Sequence, residues 1–284
     1  MSTTTPTRIT TQYAGLVADA SGHDDGRPPL VLLHGLTFDR TTWRPVLDQL
    51  DELDLGRRIV AFDLPDHGAS APLASHDLEQ VAAAVHAAVE AAGLEQPVVV
   101  GHSISGVIAS IYAALYPTAG VVCVDASLRV RPFAEMLAPL AAVVRGAGYE
   151  QVWSEIDASL HAERLAPDAQ AIVRATSRPK QDQFVTYQRE LFDVPVAELE
   201  GRAHVVLAVL RAAGRPYSVI AGDGVGPDDE RWLLERLPQA TVEVWPGTGH
   251  FPFLAHPRRF AERLAATADW PTDRSGARSR TAAP

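Results

Sequence analysis

The hexapeptide Gly101-His102-Ser103-Ile104-Ser105-Gly106 directly follows the apolar run Val98 to Val100 and opens a stretch with helical pattern. A serine set among small residues at a sharp strand-to-helix turn projects its hydroxyl clear of the backbone. The helix N-terminus behind it aims unpaired amides and a positive dipole end at an oxyanion forming there. This spacing is that of a nucleophile elbow, G-x-S-x-G, with Ser105 standing where the second glycine belongs and Gly106 next in line. A serine hydroxyl attacks only when a base removes its proton. Of the ten histidines, His250 is best placed, because it follows the last β-rich run and the glycine turn Gly247 to Gly249, which lets its loop reach across. Imidazole takes a serine proton near neutrality and returns it to a leaving group. His102 lies inside the elbow itself, and His67 and His256 read as turn and helix-start residues.

These residues require a sheet to hold them. Short apolar runs at Leu30–Leu33, Ile59–Phe62, Val98–Val100, Val121–Val124, Tyr217–Ala221 and Thr241–Trp245 alternate with helical patterns near Trp43–Leu50, Leu78–Ala92, Val107–Leu115, Trp232–Leu237 and Pro257–Ala268. Alternation of this kind predicts an α/β fold: a mostly parallel central sheet with helices on both faces. From about Leu128 to Arg202 the rhythm breaks into helical patterns punctuated by prolines, which predicts a helical cap inserted at the ligand-binding edge of the sheet. The expected organisation is a core of residues 1–127 and 203–270, a lid of residues 128–202, and a disordered tail, 271–284.

Composition excludes several classes. The chain has 284 residues, 46% of them hydrophobic and 21% charged, with a net charge of −10. Acidic excess without a long basic run speaks against a nucleic acid or an anionic membrane as partner. Cys123, the one cysteine, leaves no intrachain disulfide and no cysteine-based zinc cluster, and its apolar surroundings predict a buried, inert thiol. No secretory signal and no apolar stretch long enough to span a bilayer is visible, so a cytoplasmic setting is expected. Neither a phosphate-binding loop nor a dinucleotide fingerprint occurs, so no cofactor and no metal is expected.

With the elbow placed, three further segments carry a resemblance to the α/β-hydrolase superfamily across roughly Leu30 to Ala268. His34-Gly35-Leu36 resembles its oxyanion loop. Asp63-Leu64-Pro65-Asp66-His67-Gly68-Ala69-Ser70 resembles its D-x-x-G-x-G-x-S turn, with Asp66 replacing the first glycine. Gly249-His250-Phe251-Pro252 through His256-Pro257 resembles the segment bearing the catalytic histidine. The resemblance implies that Leu36 and Ile104 donate backbone amides to an oxyanion hole, with His34 structural. It also places the triad acid three residues after a glycine beyond the strand that follows the lid. Here that position, counted from Gly222, holds Val225, with Asp223 and Asp228 nearby but displaced. A minority of the superfamily takes the acid from the end of the strand before the lid, which in this chain is Asp125. The vacancy at Val225 favours Asp125, with Asp223 or Asp228 as alternatives.

A serine rather than an aspartate at the elbow points to acyl chemistry through a covalent acyl-enzyme. The expected substrate is a small, moderately hydrophobic carboxylic ester or lactone. Phe38 and Phe251 beside the catalytic loops, and Trp153 and Phe184 in the insertion, are the candidate substrate-binding residues. Cleavage of a C–C bond or acyl transfer on the same triad, and a slow-turnover ligand sensor, are the alternatives. Oligomeric state is not legible.

Overall fold

Uninterrupted apolar runs form the middle of the sheet because both of its faces are covered. The computed structural model describes residues 8–223 and 225–272, so residues 273–284 of the expected disordered tail lie outside the described residues. The strands are β1 (Ile9–Tyr13), β2 (Leu16–Ser21), β3 (Leu30–Leu33), β4 (Ile59–Phe62), β5 (Val98–His102), β6 (Gly120–Val124), β7 (Tyr217–Ala221) and β8 (Ala240–Val244). They pair in the order β1-β2-β4-β3-β5-β6-β7-β8, and only the pairs β1–β2 and β2–β4 are antiparallel. The expected α/β class with a mostly parallel sheet is what the chain adopts. The N-terminal hairpin β1–β2 is an addition to the strands that the apolar runs predict.

Along the central strands the side chains alternate between two cores. Val31, Leu33, Val99, Val121 and Cys123 pack into one, together with α2 (Leu78–Ala91) and α3 (Ile104–Leu115). Leu30, Leu32, Val98, Val100, Val122 and Val124 pack into the other, beneath α1 (Arg44–Leu53) and α13 (Pro257–Ala265). The buried Arg57 side chain sews the ends of the chain to the second face, donating to the carbonyl of Leu264 and the hydroxyl of Thr267, each at 3.0 Å. Burial pushes the Cys123 thiol up to about 12, which leaves it protonated and unreactive.

Everything from β6 to β7 is helical: α4 (Val130–Leu137), α5 (Ala141–Arg145), α6 (Tyr149–Ser159), α7 (Pro167–Thr176), α8 (Gln181–Tyr187), α9 (Arg189–Asp193) and α10 (Val196–Ala213), with short 3₁₀ turns between them. The boundary expected at residue 202 falls inside α10, which continues to Ala213 and packs on α4 and α3. The chain closes with α11 (Pro227–Arg236), β8, the short α12 (Pro252–Ala255) and α13. Among the described residues no helix is long and apolar enough to cross a membrane.

Strand order fixes where a site must form. The chain leaves β3 toward β4 and then crosses back to lay β5 on the other flank of β3, so the crevice at their carboxyl ends is a topological switch point, where ligands bind in such sheets. The loop after β3 carries Gly35 to Phe38 and the turn after β5 carries Ser103. They face each other across that crevice.

Candidate active site

Ser103 occupies the single residue between β5 and α3, with φ 57° and ψ −128°. This is a backbone conformation that L-residues rarely adopt and that costs roughly 1–3 kcal/mol. The surrounding close packing enforces it. A Cβ at Gly101 would lie 1.9 Å from the Ser105 carbonyl oxygen, and one at Gly106 would lie 2.7 Å from Cys123 Sγ. The second tight position of the elbow is thus Gly106. Ser105 has room for its side chain, which is fully buried and donates a 2.5 Å hydrogen bond to the carbonyl of His34. That bond ties the elbow to the loop after β3.

The Ser103 hydroxyl does not cap α3, and among the described residues no hydrogen bond joins it to the His250 ring. The amide of Ile104, first in α3, has no partner in the preceding turn of its own helix. Leu36 lies in the facing loop, which is folded by a bond from the Phe38 amide to the Gly35 carbonyl (3.2 Å) and by Thr37 at φ 71°.

His250 and Asp125 meet directly. His250 Nδ1 lies 2.5 Å from Asp125 Oδ2, and Asp125 Oδ1 accepts from the Gly222 amide at 2.6 Å. Since a carboxylate only accepts, Nδ1 carries the proton and Nε2 presents a lone pair. Asp125 sits one residue past β6 at φ 47°, its own amide donating to the Ile220 carbonyl (2.9 Å), while the Ser103 amide donates to the Val124 carbonyl (2.8 Å). Nucleophile turn and carboxylate are therefore carried on the extended ladder of adjacent strands.

The other two acid candidates lie elsewhere. Asp223 turns away from the ring and accepts from the amides of Gly247 (2.8 Å) and Gly249 (3.1 Å) and from Arg164 Nη1 (2.6 Å). Asp228 is exposed in the first turn of α11 and pairs with Arg231. Val225 contributes to a narrow cleft with Ala126, Leu128 and Trp232, edged by Asp229 and Glu230, and supplies no group that could hold an imidazole.

Phe38 and Phe251 pack edge to face at 5.7 Å, both against the His102 ring, and are buried. They form the backing of the elbow. In the helical segment Phe184 is buried against Tyr149 and Trp153, and of these only Trp153 is half-buried.

Three buried imidazoles stiffen the site from below. His34 Nδ1 donates to the Gly35 carbonyl (2.8 Å) while its Nε2 accepts from the Leu64 amide (3.0 Å). His67 Nδ1 donates to the Pro65 carbonyl (2.9 Å), and its Nε2 accepts from the Thr37 amide (3.2 Å). His102 Nε2 donates to the His250 carbonyl (2.9 Å). Each ring is neutral with a defined tautomer, and burial holds all three below the ordinary imidazole value of 6.5. The linkage has a definite sign. Unfolded histidines take up protons below about pH 6.5 and these folded ones resist, so their contribution to stability is full above that pH and is lost as pH falls toward the depressed folded values. Urea unfolding midpoints are expected to be level from pH 8 to 7 and to fall from about pH 6.5 to 5. A level profile through pH 5 would contradict neutral burial of these rings.

Three contacts that the motifs do not reveal complete the site: the Gly222 amide on Asp125, the Leu160 carbonyl receiving the His250 amide (2.9 Å), and the Thr37 carbonyl receiving the Arg178 amide (2.7 Å). All join segments far apart in sequence, and a backbone donor or acceptor leaves no mark in residue type.

The chain and its fold are similar to known proteins. A model of the alpha/beta hydrolase family matches residues 30–263. The chain is 30% identical over 254 residues to a pimeloyl-[acyl-carrier protein] methyl ester esterase of Chromobacterium violaceum, covering 84% of this chain and 93% of that one. Its fold is similar to that of a thermophilic esterase from Thermogutta terrifontis, with a TM-score of 0.70 at 21% identity over 92% of this chain and 99% of that one. It is equally similar to an enol-lactonase from Burkholderia xenovorans LB400, with a TM-score of 0.70 at 17% identity over 91% and 99%.

Proposed function

Because this chain belongs to the alpha/beta hydrolase family, we propose that it is a serine hydrolase that cleaves a small, moderately hydrophobic carboxylic ester or lactone through an acyl-enzyme on Ser103. The observation that carries this reading is the His250–Asp125 contact beside a serine held at a strained strand-to-helix turn. His250 Nε2 takes the Ser103 proton as Oγ bonds to the substrate carbonyl carbon. The carbonyl oxygen gains charge and is received by the amides of Leu36 and Ile104; one such donor contributes about 3 kcal/mol to transition-state stabilisation. The imidazolium, stabilised by Asp125, passes its proton to the departing alkoxide. Water then repeats the sequence on the acyl-enzyme and releases the acid.

Two relatives support the substrate class: the methyl ester esterase, by sequence, and the enol-lactonase, by fold. A panel of short-chain and aryl esters and lactones, with products analysed as acid plus alcohol, tests the reaction. An organophosphonate followed by peptide mass analysis tests the nucleophile. Turnover of the panel with label on Ser103 is the expected result. A cleaved diketone, or acyl transfer to an added acceptor in place of hydrolysis, would assign another reaction to the same triad.

The helical segment between β6 and β7 serves in this reading as the lid. It touches the loops on both sides of the crevice, at Thr37 and at His250. Trp153, half-buried on the aromatic cluster of the lid, is expected to bear on substrate choice. Trp153→Ala should alter the ratio of kcat/KM between aryl and short alkyl esters by about 10-fold, the lower end of what a lost apolar contact of about 1–3 kcal/mol produces. An unchanged ratio in folded protein would make Trp153 lid packing alone.

A further inference from the structure

Asp223 stands where the strand after the helical segment ends, yet its carboxylate serves a different partner set from that of Asp125. Its Oδ1 accepts from the Gly247 amide at 2.8 Å and its Oδ2 from the Gly249 amide at 3.1 Å, so it spans the glycine turn that immediately precedes His250. The same Oδ2 receives Arg164 Nη1 at 2.6 Å, from the 3₁₀ turn Ala162–Arg164 of the helical segment. The two residues just before that turn, Leu160 and His161, also dock on the histidine loop. The His250 amide donates to the Leu160 carbonyl at 2.9 Å. Gly249, at φ 55°, lies so close that a Cβ there would come within 2.7 Å of the Leu160 carbonyl oxygen and 2.9 Å of that of His161.

From this convergence we infer that Asp223 and Arg164 are positioning residues which clamp the loop bearing His250 between the end of β7 and the helical segment, so that the base is aligned by the docked lid. The inference rests on the proposed role of His250 as base.

The turn 247–249 needs such a clamp. Two of its three residues are glycines, and the one side-chain anchor within it is Thr248, whose hydroxyl donates to the Trp245 carbonyl at 2.8 Å. Downstream, His250 is held by its ring on Asp125 and by its carbonyl on His102, contacts that fix its far side but not the approach of the chain. Asp223 supplies two acceptor bonds to that approach, and Arg164 orients the carboxylate that makes them. The backbone hydrogen bonds to Gly247 and Gly249 and the Arg164 guanidinium hold the Asp223 carboxyl below its ordinary value, so it remains an acceptor throughout the neutral range. Both side chains are about one-third exposed, which places the worth of the pair in geometry rather than in stability. A displacement of the order of 1 Å at a catalytic group is enough to cost about 100-fold in rate.

The test uses full-length protein in four variants, Arg164→Ala, Arg164→Lys, Asp223→Asn and the double Arg164→Ala/Asp223→Asn, each checked for wild-type circular dichroism. Two quantities are read: kcat and KM on the best ester of the panel, and the rate of phosphonate labelling of Ser103. The expected result is a fall of about 10- to 100-fold in kcat and in labelling rate for Arg164→Ala and Asp223→Asn, with KM held within about 2-fold. Arg164→Lys should recover most of the loss, and the double variant should be no worse than the weaker single, as expected of one coupled unit. Wild-type labelling rates in both single variants, or losses that multiply in the double, would overturn the clamp while leaving the serine-hydrolase reading intact. A loss in Asp223→Asn as deep as that in Asp125→Asn would make Asp223 the triad acid and overturn the clamp as well. Absence of Ser103 labelling in the wild type would instead overturn the hydrolase reading, and the clamp with it.

Discussion

Ser103→Ala is expected to lower ester turnover by roughly 10⁴- to 10⁶-fold while leaving the fold intact. The hydroxyl is the one group in the site that would form and break a covalent bond, so its loss removes the acyl-enzyme route entirely. What remains is binding and the oxyanion donors. The fold should survive because alanine keeps the Cβ and therefore the same backbone strain, and because Ser103 Oγ does not cap α3. Circular dichroism and a thermal midpoint close to wild type would establish that point. The organophosphonate adduct should be absent from the variant and, in the wild type, should sit on Ser103 and spare Ser105, whose hydroxyl is buried and committed to the His34 carbonyl. Near wild-type turnover in Ser103→Ala would end the serine-hydrolase reading. Label on Ser105 would shift the elbow by two residues.

The second large effect concerns Asp125. Asp125→Asn should reduce kcat by about 10⁴-fold, whereas Asp228→Asn should remain within about 2-fold of wild type. The asymmetry follows from the contacts. The Asp125 carboxylate accepts from His250 Nδ1 and from the Gly222 amide, one oxygen each. An asparagine satisfying the Gly222 amide with its oxygen must turn its NH₂ toward the ring. It then holds the imidazole with Nδ1 as acceptor and the proton on Nε2, the atom that has to receive the serine proton. Neutral asparagine also gives no support to the imidazolium. Asp228 touches only Arg231 on the surface. Steady-state kinetics on the same ester for the two variants decides the matter. A deep loss in Asp228→Asn with Asp125→Asn unaffected would move the acid to the region after β7.

The legibility of this chain in its sequence tracks the range of the interactions involved. The five strands from β3 to β7 are readable because burial on two faces demands apolar side chains at successive positions, as in Leu30–Leu33 and Ile59–Phe62, whereas β8 is a partly exposed edge strand marked only by its β-branched residues. β1 and β2 are not readable by that rule. Ile9–Tyr13 is a largely exposed edge strand of Thr and Gln, and β2 carries Asp19, a buried carboxylate made tolerable by Arg40 at 2.9 Å. Only the tertiary partner explains an aspartate there. At the site, Ser103 and His250 stand out through local turn chemistry. Asp125 is a candidate only through the resemblance, which implies both the usual place, held here by Val225, and the minority place at the end of the strand before the lid. The partners of Asp223 were out of reach, because Arg164 and Asp223 are 59 positions apart and the two glycine amides carry no side chain to announce a bond. Phe38 and Phe251 stand beside the loops in the sequence, but periodicity cannot distinguish a ring that lines a cavity from one that backs a turn.

The stitching of α13 to the face carrying α1, through Arg57 and the carbonyl of Leu264, bears on the order in which the molecule can become active. During synthesis Ser103 emerges more than a hundred residues before His250, the base proposed for it, and β7, β8 and the final helix must find their places against strands already made. Contacts of such sequence separation are late and slow in folding. Under the proposed mechanism, a ribosome-bound chain that already displays Ser103 lacks the means to activate it. Chemical competence would then arrive only with the closing of the second core, and topology would hold the partly folded chain harmless.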